Sequence, residues 1–333
     1  MRRSSILKFS LLAVLSFCLF IVDLAVGSTS ISVPDVLKAI FGGDVQQATV
    51  TIVRKIRLMK AMTAVIVGSA LPVAGLMMQT LFRNPLAGPY VLGISSGSSL
   101  AVAILLLWLP ASGIGFLESA GCAGAAFLGA AAVMAVIAAA SSRVKDIMVI
   151  LILGIMLSSG TSAIVQILQY LSEKEALKSF VVWTMGSLGG VTSSQTAILI
   201  PCAIAGIMLA ISVSKPLNVL LLGEEYAKSM GVDTSRTRWI IYLSTVLLAG
   251  SVTAFCGPVS FIGLAVPHFA RMIFKTADHL ILFPGSILCG ISIMLACDLV
   301  SKAVCLPVNS LTALIGIPAV IWIVIKNQPV SDL

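Results

Sequence analysis

Residues 147–169 read Ile147-Met-Val-Ile-Leu-Ile-Leu-Gly-Ile-Met-Leu-Ser-Ser-Gly-Thr-Ser-Ala-Ile-Val-Gln-Ile-Leu-Gln169, without one charged side chain. A helix needs about 20 predominantly apolar residues to cross a hydrocarbon core. A surface helix of a soluble domain would keep a charged face, and this stretch has none. It reads as a membrane span, and similar runs recur along the whole chain. Of 333 residues 59% are hydrophobic and 10% charged, against about a quarter charged in soluble domains. The mean hydropathy is +1.10. These values exclude an ordinary soluble enzyme and a disordered chain.

Working outward, apolar runs broken by Pro, Gly and charge predict ten spans. They cover 6–27, 61–82, 91–109, 116–140, 147–169, 193–212, 239–256, 258–274, 280–300 and 308–325. The expected fold class is therefore all-α: one polytopic transmembrane domain over 1–333, with both ends on one side. Between spans, Ser32 caps a short helix near 33–41 with Pro34 in its first turn, and a second short helix is expected near 173–187. Segment 215–238 is charged and lies between spans six and seven. Arg2-Arg3 before an apolar run resembles a secretory signal, but 6–26 is long enough to span, so a retained first helix is expected.

Charge supports this arrangement. With the N-terminus inside, thirteen Lys and Arg fall on the cytoplasmic side and eight outside, as the positive-inside rule expects. Arg54, Lys55, Arg57 and Lys60 crowd the outer start of span two against that rule. The formal net charge is +8, with no basic run that suggests nucleic acid. The seven cysteines form no CxxC and read as buried small hydrophobes. Asp23 and Asp298 fall near outer helix ends, where snorkelling or local hydrogen bonding is expected. Gly121, Ala125 and Gly129 form a close-packing stripe.

Three segments carry further signals. Gln79 to Gly93 contains Asn84-Pro85-Leu86 with Gly88, Pro89 and Gly93, and reads either as a structured inner turn beside a pathway or as an ordinary loop. In Leu217 to Val232, Gly223 separates two short helices, Glu224 and Glu225 favour the start of the second, and Gly231 suits its end. Leu221, Leu222, Tyr226, Ala227 and Met230 could form an apolar face that lies on the membrane or docks into a partner. In Gly257 to Arg271, His268 is expected to bond backbone at a helix end rather than ligate metal or haem. His279 is expected to be solvated in a polar turn. A weak echo between 75–93 and 257–267, on helices of opposite direction, suggests inverted halves of a transporter.

Together these segments resemble the permeases of ABC importers for ferric siderophores, haem and vitamin B12. The matching residues are Arg57-Leu58-Met59-Lys60, Asn84-Pro85-Leu86-Ala87, Leu222-Gly223-Glu224-Glu225 with Ala227 and Gly231, Trp183 to Ser187, Gly257 to Arg271, and Leu306 to Pro318. The resemblance implies an inverted-repeat, ten-helix permease fold in a bacterial inner membrane, with both termini cytoplasmic. It implies a second copy of the chain, two cytoplasmic ATP-binding subunits and a periplasmic or lipid-anchored substrate-binding protein, besides membrane lipid. Leu221, Leu222, Gly223, Glu224, Glu225, Ala227, Met230 and Gly231 would couple to the ATPase. Arg57, Lys60 and Lys302 would dock the binding protein. Met59 and Lys60 stand where the family has Pro and Arg, and Lys lacks the bidentate fork. Asn84, Pro85 and Leu86 would border the pathway, with a gate near Ser141, Ser142 and Ile147. The pathway would run at the dimer axis, lined mainly by helices five and ten.

No catalytic residue, cofactor or metal is expected on this chain. It has no GxxxxGK[ST] loop, so ATP and magnesium would sit on the partner subunit. The rival reading is an ion- or proton-coupled secondary carrier, which needs acids near the midplane. Glu118 and Asp146 are expected at turns instead. The sequence leaves siderophore, haem and cobalamin open as substrates.

Overall fold

The computed structural model describes residues 3–27, 29, 31–109, 115–144 and 146–326. Arg2, Lys145 and the side chains of Arg3 and Lys326, counted above in the topology, lie outside the described residues or side chains, as does the Glu118 side chain. Fourteen helices and no strand occur among the described residues. They are α1 Arg3–Ala25, α2 Val33–Phe41, α3 Gln47–Leu81, α4 Ile94–Trp108, α5 Gly115–Arg143, α6 Ile147–Leu171 and α7 Lys174–Thr184. There follow α8 Ser193–Ser212, α9 Ser214–Leu220, α10 Glu224–Ser229, α11 Thr234–Cys256, α12 Ile262–Phe274, α13 His279–Val304 and α14 Val308–Lys326. Seven of them are long and apolar enough to cross a membrane. The shorter α4, α12 and α14 complete the ten expected spans.

Local chemistry sets the ends. Ser32 caps α2 by accepting from the Asp35 N–H. Thr192 and Gln195 form a capping box at the start of α8. Asp146 caps α6, as its place in a turn predicted. Glu118 falls inside α5 rather than at a turn. One difference is larger: α3 begins at Gln47, well before the expected 61, and passes through a π-helical turn at Ile52–Arg57. Two more π-helical turns occur, at Ile104–Trp108 and Val246–Gly250. Apolar periodicity carries no mark of such one-residue insertions.

At the centre lies α3, whose apolar stretch is almost wholly buried. It packs on α13, α12 and α8. Glycine permits the closest approaches: a Cβ on Gly75 would overlap the Gly263 carbonyl of α12, and one on Gly290 of α13 would overlap the Gly68 carbonyl. Gly129 of the predicted stripe meets Gly97 of α4 in the same way. By contrast α1 and α6 are mostly exposed, as helices facing lipid or another chain would be. On α1, the inward side includes Ser16, whose hydroxyl lies 2.8 Å from that of Ser292.

Two short spans share an unusual entry. Residues 82–93 are irregular before α4, and Gly93 takes φ +88°. Residues 257–261 are irregular before α12, and Phe261 takes φ +66°. The first segment follows the C-terminal end of α3, and the second that of α11, which runs the opposite way. Their helices therefore enter the layer from opposite sides, as the sequence echo suggested.

Candidate functional site

On one face, α9, α10 and the turn after α3 come together. Gly223 takes φ +119° and separates the two short helices, with the Arg83 guanidinium beside it. The end of α10 closes as the sequence predicted. The Gly231 N–H bonds to the Lys228 carbonyl and the Val232 N–H to the Ala227 carbonyl, with Gly231 at φ +80°. Leu222, Tyr226 and Met230 are 64%, 50% and 57% exposed. Tyr226 and Met230, four residues apart along α10, share one face, and Leu222 stands just before the break at Gly223. Ala227 is a correction to that face: it is fully buried and points into the protein. Leu221 is half-buried.

Charge fixes this element to α11. Glu224 pairs with Lys228 at 3.1 Å and with Arg238. Burial alone would raise the Glu224 carboxyl, but the Lys228 and Arg238 contacts outweigh it and hold it below its ordinary value near 4.5. The sign follows from linkage. This pairing stabilises the element fully above about pH 4.5 and is lost as pH falls through the lower folded value. Amide protection across 224–238, referred to the intrinsic exchange rate at each pH, should therefore fall in acid below pH 4.5. In a Glu224→Gln variant the exchange should show no such acid step.

Beneath the exposed face, polar side chains bind it to the long spans. The Asn218 Oδ1 of α9 accepts from the His279 backbone N–H at 2.9 Å, and His279 Nδ1 lies 2.6 Å from it. Because an amide oxygen only accepts, that ring nitrogen carries the proton. His279 Nε2 then faces the Thr80 hydroxyl of α3 at 2.8 Å. Asn218 Nδ2 donates to Asp278. His279 is fully buried, not solvated in a turn as its polar neighbours suggested, because α9 covers it.

The neighbouring turn is equally built. Asn84 Oδ1 accepts from the Leu86 N–H, and the Pro85 carbonyl lies 2.8 Å from His268 Nε2. Gln79 donates to the Leu264 carbonyl and accepts from Arg271 at 2.6 Å. His268 thus bonds backbone, as expected, from within α12 rather than at its end. Leu86 is 41% exposed. The segment is a structured turn rather than an ordinary loop. Of the expected gate residues, Ser142 bonds the Ala139 carbonyl, Ser141 lies against Tyr242, and Ile147 opens α6.

At the opposite face, the expected docking residues are turned inward. Arg57 is 4% exposed and donates to the carbonyls of Leu24, Ala25 and Thr29, closing the end of α1. Lys60 pairs with Asp298 at 2.9 Å. Lys302 pairs with Asp23 at 2.8 Å and with Asp298 at 3.0 Å. Both acids are fully buried, which corrects the expectation of snorkelling carboxylates. The reason is convergence: the C-terminal ends of α1 and α13 meet the N-terminal part of α3, and two partly exposed lysines neutralise two fully buried acids. Arg54 caps α2 through the Ala39 and Ile40 carbonyls. Lys55 remains exposed.

Comparison with known proteins decides the family. The model of the FecCD transport family matches residues 12–326. The chain belongs to the FecCD transport family. The haemin transport permease of Yersinia pestis is 36% identical over 282 residues, 82% of this chain and 83% of that protein. The vitamin B12 import permease of Vibrio cholerae is 33% identical, covering 83% of each. The Fe(3+)-citrate import permease of Bacillus subtilis is 32% identical over 98% of this chain and 97% of its own. A structure assigned to the metal-chelate type of ABC transporter, solved facing inward, superposes with a TM-score of 0.84. It is 30% identical and covers 96% of this chain and 98% of its own. The protein is thus an importer permease, and the buried polar links under α9 and α10 are features of this permease that no local motif reveals.

Proposed function

We propose that this permease carries an iron chelate or cobalamin inward across the bacterial cytoplasmic membrane. It does so as a homodimer, with a separate ATPase on the α9–α10 face and a substrate-binding protein on the face of Lys55. The reading rests on one observation above the rest. Leu222, Tyr226 and Met230 present an apolar stripe that the described residues leave at least half exposed, beside an element tied to α3 and α13 through Asn218, His279 and Thr80. An apolar, solvent-facing stripe suits a groove on a soluble partner. A rigid tie beneath it suits the passage of motion.

In this mechanism ATP and magnesium stay on the partner. Closure of the ATPases displaces α9 and α10 as one body. Asn218 and His279 pass that displacement to the inner ends of α3 and α13, and the turn at Asn84, Pro85 and Leu86 follows through Arg83 beside Gly223. The gate near Ser141, Ser142 and Ile147 then opens or closes. Replacing His279 with Phe should keep the ATPase bound but lower the ratio of substrate moved to ATP hydrolysed at least fivefold, with His279→Gln restoring part of it. Uptake and phosphate release measured together in proteoliposomes test this. An unchanged ratio in His279→Phe removes the residue from the coupling path.

The secondary-carrier reading is weaker on the same geometry. Asp23 and Asp298 are the fully buried acids among the described residues, and both are neutralised by lysine at helix ends. Neither is available as an alternating proton or sodium site.

A further inference from the structure

Helix α6 changes character along its length. Residues 147–157 carry no polar side chain, whereas 158–169 contain Ser158, Ser159, Thr161, Ser162, Gln166 and Gln169. The change falls about 17 Å from the start of the helix, near the middle of a bilayer. Facing it, α4 presents Ser95, Ser96 and Ser99. Between them, with Phe180 and Thr184 of α7 also in its lining, lies an open cavity of about 400 Å3.

Its lining includes no charged residue. Some hydroxyls are occupied at home: Ser96 donates to the Gly93 carbonyl and Ser158 to the Gly154 carbonyl. The side chains of Ser95, Ser99, Ser162, Gln166 and Gln169 make no hydrogen bond to any described residue. Five unpaired donors therefore point into one space at membrane depth, where polar groups are costly unless they serve a path or a ligand. A cavity of about 360 Å3 between α5, α8 and α11 also holds Ser194, Gln195 and Ser251. There, however, Ser194 and Gln195 bond Thr192 and Ser251 bonds the Leu247 carbonyl, so each of the three already has a local partner.

We propose that this hydroxyl- and amide-lined cavity between α4, α6 and α7 is a substrate-selecting chamber for an oxygen-rich ferric chelate, of the carboxylate or hydroxamate kind. The inference rests on the importer reading above and narrows its substrate class. Serine O–H and glutamine N–H2 groups donate to the acceptor oxygens at the rim of such a chelate. Haem, with two broad apolar faces, would instead call for aromatic and aliphatic walls. Neutral donors also allow release. A path must hold its cargo well enough to admit it and weakly enough to let it go, and a fixed lysine or arginine would trap an anionic chelate.

The test uses the complete complex of permease, cognate ATPase and binding protein in proteoliposomes. The cargoes are ferric citrate, a ferric trihydroxamate, haem and cyanocobalamin. Ser162 and Gln166 are exposed in the chain, so the double variant Ser162→Leu with Gln166→Leu should fold. It should lower ATP-dependent uptake of the ferric oxygen chelate about thirtyfold, from roughly 1 kcal/mol for each of the two lost hydrogen bonds. ATPase stimulation by the binding protein should stay intact, and Ser162→Thr with Gln166→Asn should recover most of the uptake. Full uptake by the Leu double variant, or a wild-type complex that carries haem or cobalamin and neither ferric chelate, overturns the chamber while leaving the importer reading standing. A wild-type complex that moves no cargo with ATP overturns the importer reading, and the chamber with it.

Discussion

Exchange of Tyr226 and Met230 for Asp should release the ATPase from this permease, weakening the complex by at least about a hundredfold. Both side chains are at least half exposed in the free chain, so their loss costs the permease little folding energy. In the complex they would fill the partner's groove. Truncating a central anchor of an interface typically costs about 2 kcal/mol or more, and a carboxylate placed in an apolar groove adds desolvation. Co-purification and a titrated Kd measure the effect, and the thermal midpoint of the permease alone controls for folding. Ala227→Asp makes the contrast. Ala227 is fully buried, so that exchange should lower the permease's own stability before any partner is present. Binding unchanged by the double Asp variant would place the ATPase elsewhere.

Removal of Asp298 should be the most damaging single change at the outer face. Its carboxylate is fully buried between Lys60 and Lys302. Asp298→Ala strands the Lys60 ammonium and leaves Lys302 with Asp23 alone, and breaking a buried ion pair from one side costs roughly 3–5 kcal/mol. The thermal midpoint in detergent should fall by several degrees. Pairing Asp298→Leu with Lys60→Met removes one charge of each sign and should restore much of that loss. Lys55→Glu, on an exposed side chain, should leave the midpoint alone and weaken binding-protein docking in low salt. If Asp298→Ala alters docking and spares stability, the buried cluster is an interface and not a brace. Arg57→Ala belongs with the brace, because that guanidinium closes the end of α1.

The spans were legible because a bilayer demands about 20 apolar residues in a row, whatever they pack against. Residues 193–212 match α8 at both ends. The break at Gly223 and the closure at Gly231 were legible too, because left-handed geometry selects glycine locally. What escaped was pairing. Lys302 and Asp23 are 279 residues apart, and Asn218 and His279 are 61 apart. A residue type states which bonds a side chain can make, not which distant helix supplies the partner. Arg57 and Lys60 therefore read as a free outer charge, and His279 as a solvated one. The chamber escaped for the same reason. Ser95 to Ser99 and Ser158 to Gln169 are modest polar clusters in separate spans, and they become one site only when α4 and α6 pack together.

The account stands most directly on ATP-driven uptake. The permease, its cognate ATPase and its binding protein, reconstituted in sealed vesicles, should accumulate a ferric chelate only with ATP and all three components present. They should do so equally with and without a proton or sodium gradient. Accumulation driven by an ion gradient in vesicles that hold the permease alone would contradict it.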